Sequence, residues 1–228
     1  MSSFINRLKY YGLGFGFGLI FVFIFFQNRG CSWLPSNRVK NSILDRVLVV
    51  SEQDQKNLDQ KGITKKEIIE LLNTGAVDFD LSQKDGASKV YRLSNDQIQL
   101  FFTLPYESFV SEVKCTNQKA KKIKSTTIGT GDLIHFPNDE DLIYVDSSQV
   151  LSCKLAEIGY INQRLVLKSL KKSGKIDFAK TKFKSSPKPK IYLQFADKKG
   201  QLVGTTAIWY KNKINIQELD LMNDTPCK

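Results

Sequence analysis

The chain has 228 residues, 34 Lys and Arg against 23 Asp and Glu, a net charge of +11 and a hydrophobic share of 41%, enough apolar side chain to exclude a wholly disordered polymer. A single histidine excludes a histidine-based metal cluster, and four cysteines without a CxxC spacing exclude the common zinc-finger and dithiol redox patterns. The charge is uneven: residues 1–30 carry +3, residues 31–150 carry −2 and residues 151–228 carry +10.

In chain order, a short tail (1–9) precedes an uncharged run, Tyr10 to Asn28, that predicts a transmembrane anchor (10–28). At ~1.5 Å per residue a helix of that run measures about 28 Å, near the ~30 Å hydrocarbon core. Tyr10 and Tyr11 suit one headgroup zone, and Gln27, Asn28 and Arg29 close the other end. The competing reading is a cleaved signal peptide with Arg7 and Lys9 as its basic region. Gln27-Asn28-Arg29-Gly30-Cys31 lacks its small-x-small site, so an uncleaved anchor is expected. Gly12, Gly14, Gly16 and Gly18 form two overlapping GxxxG spacings, which suit close packing of a second helix in lipid. Arg7 and Lys9 before the run and Arg29, Arg38 and Lys40 after it leave the direction of crossing open by charge. A short N-terminus followed by an early apolar segment favours a signal anchor in a bacterial inner membrane, with the remainder periplasmic.

After a juxtamembrane segment (29–54), the chain repeats itself. Gly75, Val77, Asp78 and Phe79 match Gly174, Ile176, Asp177 and Phe178 without a gap, and Ile68 and Leu71 match Leu167 and Leu170. Lys89-Val90-Tyr91 corresponds to Lys190-Ile191-Tyr192, and further apolar alternations follow in both. This predicts a first unit (55–116), a connecting segment with strands (117–150) and a second, basic unit (151–228). Ile68, Leu71 and Leu72 fall on one helical face, and Thr64 with Glu67 forms a capping box. Gly75 and Gly174 stand where a left-handed helix C-terminus is expected. Ile191, Leu193 and Phe195 share one face of a strand, and Leu142 to Val145 reads as another. The expected fold class is α+β: an N-terminal transmembrane helix, then two related units, each with one or two helices on an antiparallel sheet of about three strands.

Catalytic signals are scarce. His135 sits at an apparent strand end, Asp139-Glu140-Asp141 lacks calcium-loop spacing, and Gly129-Thr130-Gly131 lacks the rest of a dinucleotide fingerprint. No catalytic residue, metal or cofactor is assigned. The repeated Asp-Phe pairs suit a structural role, with Asp capping turn amides and Phe filling the space between helix and sheet. Lys168, Lys171, Lys172, Lys175, Lys180, Lys182, Lys184, Lys188 and Lys190 form a dense basic run that favours an anionic partner: acidic lipid, an acidic protein or an anionic envelope polymer. Little arginine and no aromatic stacking motif accompany it, which disfavours nucleic acid. Cys31, Cys115, Cys153 and Cys227 are compatible with an oxidising compartment, and their pairing is open.

The recurring helix-Gly-x-[Val/Ile]-Asp-Phe pattern with its Tyr strand follows an apolar segment and Cys31-Ser32-Trp33-Leu34-Pro35-Ser36-Asn37-Arg38-Val39. Together these resemble a bacterial family of short membrane-anchored proteins that carry the domain of unknown function 4258. The resemblance covers the segment after the anchor, the first unit and the second. It implies one such unit behind an anchor in many members, here doubled, and it brings no activity. The expected function is a non-enzymatic interaction protein, an adaptor or accessory subunit with protein partners in an envelope complex. The alternatives are a tethered hydrolase or nuclease using carboxylates and lysines, and an envelope ligand sensor.

Overall fold

The computed structural model describes residues 2–27, 34–105, 108–137, 149–162, 164–183, 188–210 and 213–221. The chain divides into two compact units, Met1–Asn41 and Ser42–Lys228. The first holds α1 (Ser2–Gln27) and most of α2 (Pro35–Leu44), whose opening proline is pre-set for the first helical turn. The described large apolar side chains of α1, from Tyr10 to Phe23, are exposed.

The second unit starts with β1 (Val47–Ser51), a strand with every residue buried. Next come α3 (Glu52–Gln60), α4 (Lys65–Thr74), β2 (Ala76–Gln83), β3 (Ser88–Ser94), β4 (Gln99–Pro105) and β5 (Val110–Lys114). A 3₁₀ turn at Ala120–Lys122 leads to β6 (Thr130–His135). The remainder is α5 (Gln149–Glu157), α6 (Arg164–Ser173), β7 (Lys175–Asp177), β8 (Lys190–Ala196), β9 (Leu202–Tyr210) and β10 (Lys213–Leu221). Among the described residues, each half therefore runs helix, helix and four strands.

Local chemistry explains the helix ends. Ser51 caps α3 by accepting from the Asp54 amide at 3.2 Å. Thr64 and Glu67 form a reciprocal capping box on α4. Gly62 (φ 67°) and Gly159 (φ 71°) are left-handed and end α3 and α5 in matching Schellman turns. Ile63 N–H donates to Leu58 O at 2.9 Å, and Tyr160 N–H to Leu155 O at 2.8 Å. Gly75 is instead extended at φ −65°, and Gly174 is not left-handed either, so the expectation of left-handed caps there is corrected. Glycine is required at both for close approach. An added Cβ would lie 2.5 Å from Leu71 O at Gly75 and 2.2 Å from Leu170 O at Gly174.

The expected fold class is overturned. The strands form one ten-stranded mixed sheet in the order β10-β9-β8-β7-β6-β1-β5-β4-β3-β2, not two separate three-stranded sheets. Two strands make the fusion. β1 lies parallel to β5 and antiparallel to β6, and β6 continues antiparallel to β7. Sequence alternation identifies a strand but not its neighbour, and Val47–Ser51 has no alternation because both its faces are buried. Among the described residues, moreover, no helix is long and apolar enough to cross a membrane. The described apolar side chains from Tyr10 to Phe23 span about 21 Å, short of a ~30 Å core. The side chains of 24–27, residue 28, and the expected strand at Leu142 to Val145 lie outside the described residues.

Register assigns the two sheet faces. Val77, Leu93, Leu100, Phe102, Val113 and Val50 share one face, and α4 lies against β3 there. The other face bears Val47, Val49, Val110 and Leu133, which join a core with Leu155 and Ile158 of α5, Val166, Leu167 and Leu170 of α6, and Ile176, Leu193 and Phe195. The helices of the two halves thus cover opposite faces of a shared sheet. In the first half, the face opposite α4 is sealed by the 3₁₀ turn, where Ala120 and Ile123 pack on Val90 and Phe101.

Candidate functional site

The repeated Asp-Phe motif builds the same hydrogen-bonded clip twice. Asp78 Oδ1 accepts from the amides of Asp80 (3.2 Å) and Leu81 (3.0 Å), and Asp177 Oδ1 from those of Ala179 (3.0 Å) and Lys180 (3.1 Å). Four residues after each Asp, a hydroxyl donates back to its carbonyl: Ser82 to Asp78 O, and Thr181 to Asp177 O at 2.6 Å. The same hydroxyls accept from the next strand, from Arg92 N–H at 3.0 Å and Tyr192 N–H at 3.1 Å. Both aspartates are thereby committed to turn and strand geometry.

The halves diverge outside the clip. Arg92 pairs with Asp78 Oδ2 at 2.8 Å and also bonds Gln99. Tyr192, which holds the place of Arg92 in the clip and not that of Tyr91 as the sequence match expects, donates to Asp220 Oδ2 at 2.6 Å, while Lys180 stands 4.5 Å from its ring centroid. Burial and the Asp220 hydrogen bond push the Tyr192 phenol well above its ordinary pKa, so it remains a donor. Phe178 is buried against Gly131, where a Cβ would come within 2.8 Å of its ring. Phe79 is only half-buried, with Lys84 5.1 Å from its centroid.

The densest polar cluster among the described residues was not singled out by the sequence. Asp54, Glu112 and Lys114 are all buried where β1 and β5, the parallel pair, reach their C-terminal ends. Lys114 Nζ contacts Glu112 Oε1 at 2.5 Å, Thr126 Oγ1 at 2.6 Å and Asp54 Oδ2 at 3.2 Å. Asp54 Oδ2 also accepts from Ser51 Oγ at 2.6 Å and Oδ1 from the Cys115 amide at 2.9 Å. Glu112 Oε2 accepts from the Thr126 amide at 2.9 Å and Oε1 from the Thr126 hydroxyl. A lysine ammonium has three protons, and here each has a protein acceptor. The signal lay in strand spacing: Glu112 and Lys114 follow Val110 at intervals of two and so turn inward with it. What the cluster does is clamp the connecting segment, through Thr126, onto the sheet.

The lysine run does not form one patch. Lys168, Lys171 and Lys172 are exposed on α6, opposite its buried Val166, Leu167 and Leu170. Ile176 points into the α6 core, so Lys175 and Asp177 alternate to the other sheet face, where Lys175 lies 3.5 Å from Asp132. Lys180 shares that face through Tyr192. Lys182 and Lys190 exchange backbone hydrogen bonds, Lys188 is half-buried, and Lys184 lies outside the described residues. Gly12, Gly14, Gly16 and Gly18 lie along α1, each with open space where a Cβ would stand.

Cys115 is free and buried, and burial raises its thiol pKa. Cys153, on α5, is disulfide-bonded. Cys31, Cys227 and the acidic run Asp139-Glu140-Asp141 lie outside the described residues. His135 ends β6 opposite Leu48. Among the described residues no three His, Cys, Asp or Glu side chains converge as a metal site. A polar cleft of about 520 Å³ lies between α3, α4 and β4, lined by Lys61, Glu67, Gln97, Gln99 and Asn117. Comparison of the chain with protein-family models, curated proteins and solved structures finds no match.

Proposed function

We propose that this chain is a non-enzymatic interaction protein held at a membrane, an accessory or adaptor subunit of an envelope complex. The observation that carries the reading is α1. Its large apolar side chains from Tyr10 to Phe23 are between 52% and 78% exposed and are spread around the helix. Leaving some ten such side chains in water costs on the order of 10 kcal/mol, which an apolar phase or a partner helix recovers. The Cys153 disulfide adds support for an oxidising, extracytoplasmic setting.

The carboxylates support a binding protein over a hydrolase. Asp78 and Asp177 are tied into turns, and Asp54 and Glu112 are satisfied by Lys114 beneath Thr126, which leaves none of these four carboxylates poised for a substrate. The test is alkaline extraction of membranes containing the full chain, followed by gentle solubilisation and identification of co-purifying proteins. Retention in the pellet with stoichiometric companions is expected. Release by carbonate, or a monodisperse monomer without companions, overturns the reading.

A further inference from the structure

We infer that the exposed face of α6 is a docking surface for anionic phospholipid headgroups, an inference that rests on the membrane-held reading above. The sequence of α6, Arg164 to Ser173, contains no acidic residue. At 100° per residue, Arg164, Lys168, Lys171 and Lys172 occupy an arc of about 100° centred away from Val166 and Leu170. The structure separates this stripe from the remaining lysines. Lys175 and Lys180 belong to the far face of the sheet, where Asp132 and Tyr192 engage them. The binding surface is therefore one rigid helix face, held by a packed core, and not the whole run of nine lysines.

The form of the stripe selects its partner. Side chains that radiate along a helix suit a plane of charge, whereas a discrete anion needs donors that converge. Three of the four cations are lysines, which act as hydrated point charges without the bidentate fork that arginine offers a carboxylate or phosphodiester. No aromatic residue lies in α6 to stack on a base, which sets nucleic acid aside. A membrane-held chain also meets headgroups at high effective concentration, so each modest contact counts. One lysine near an anionic bilayer contributes about fivefold in binding, so three contribute on the order of a hundredfold.

The test uses the full-length protein in nanodiscs of phosphatidylcholine alone and of phosphatidylcholine with about one-third phosphatidylglycerol. Amine acetylation is followed by peptide mass spectrometry at low and high salt. Slowing of Lys168, Lys171 and Lys172 by about fivefold or more in the anionic discs is expected, with recovery in high salt. The exposed lysines Lys119, Lys121 and Lys122 of the first half should react equally in both lipids. The triple variant Lys168→Gln, Lys171→Gln, Lys172→Gln should keep its place in both discs and lose the anionic preference that vesicle competition measures. Equal rates in both lipids, or equal slowing at Lys119, Lys121 and Lys122, overturns the inference alone. Protection that appears only in native membranes containing other proteins also overturns it, in favour of an acidic protein partner. Failure to enter either disc overturns the membrane-held reading and this inference together.

Discussion

Glycine does two different jobs in this chain, and the sequence alone does not tell them apart. Gly62 and Gly159 supply a left-handed backbone, whereas Gly75 and Gly174 make room for a carbonyl. Gly75→Ala and Gly174→Ala must displace backbone oxygens and are expected to cost about 2–3 kcal/mol each. Gly62→Ala and Gly159→Ala meet open space and incur only the backbone term, about 1–2 kcal/mol. Urea midpoints of the four variants check the order, and a larger loss at Gly62 than at Gly75 would contradict it. Gly75 and Gly174 drew notice as a repeat because spacing is visible in sequence. The distance from a virtual Cβ to an oxygen one helical turn back is not.

At the scale of elements, α4 and β5 illustrate local and non-local control. The α4 cap was legible because Thr64 and Glu67 are three residues apart and their reciprocal bonds need nothing else. Accepting those bonds holds the Glu67 carboxyl below its ordinary pKa. A depressed folded pKa stabilises above the unfolded value of about 4.3, and that contribution disappears as pH falls through the folded pKa. Glu67→Gln should therefore flatten the acid limb of the stability profile below about pH 4.5 and change nothing in its slope near neutrality, as pH-dependent urea melts would show. The β5 cluster is non-local, since Asp54 and Lys114 are 60 residues apart. Lys114→Met leaves two buried carboxylates without their cation and is expected to cost about 3–5 kcal/mol. Amide exchange at Cys115 and Thr126 should accelerate with it. Unchanged exchange at Thr126 would mean that the cluster does not clamp the connecting segment.

For the whole of residues 42–221, the junction of β6 with β1 decides cooperativity. Val47 and Val49 precede the first unit in the chain, yet they sit in the core built by α5 and α6. Val49→Ala is expected to cost about 2 kcal/mol and to raise amide exchange in α6 as well as in β1. Thermal unfolding followed by circular dichroism and by tryptophan fluorescence should give one coincident transition. Two separated transitions would show that the halves are independent despite the continuous sheet.

The sequence by itself determined α4 and α6, the capping box on α4, the turn role of Asp78 and Asp177 and the inward side of β8, because those depend on contacts within a few residues or on a period of two. The tertiary structure alone decided that ten strands share one sheet, that the paired helices cover opposite faces, and that the lysine run splits between them. It also brought Asp54 to Glu112 and Lys114. Hydrophobic periodicity specifies which side of an element is buried but carries no label for its partner. Here that partner was set by β1, a strand whose two buried faces left no alternation to read.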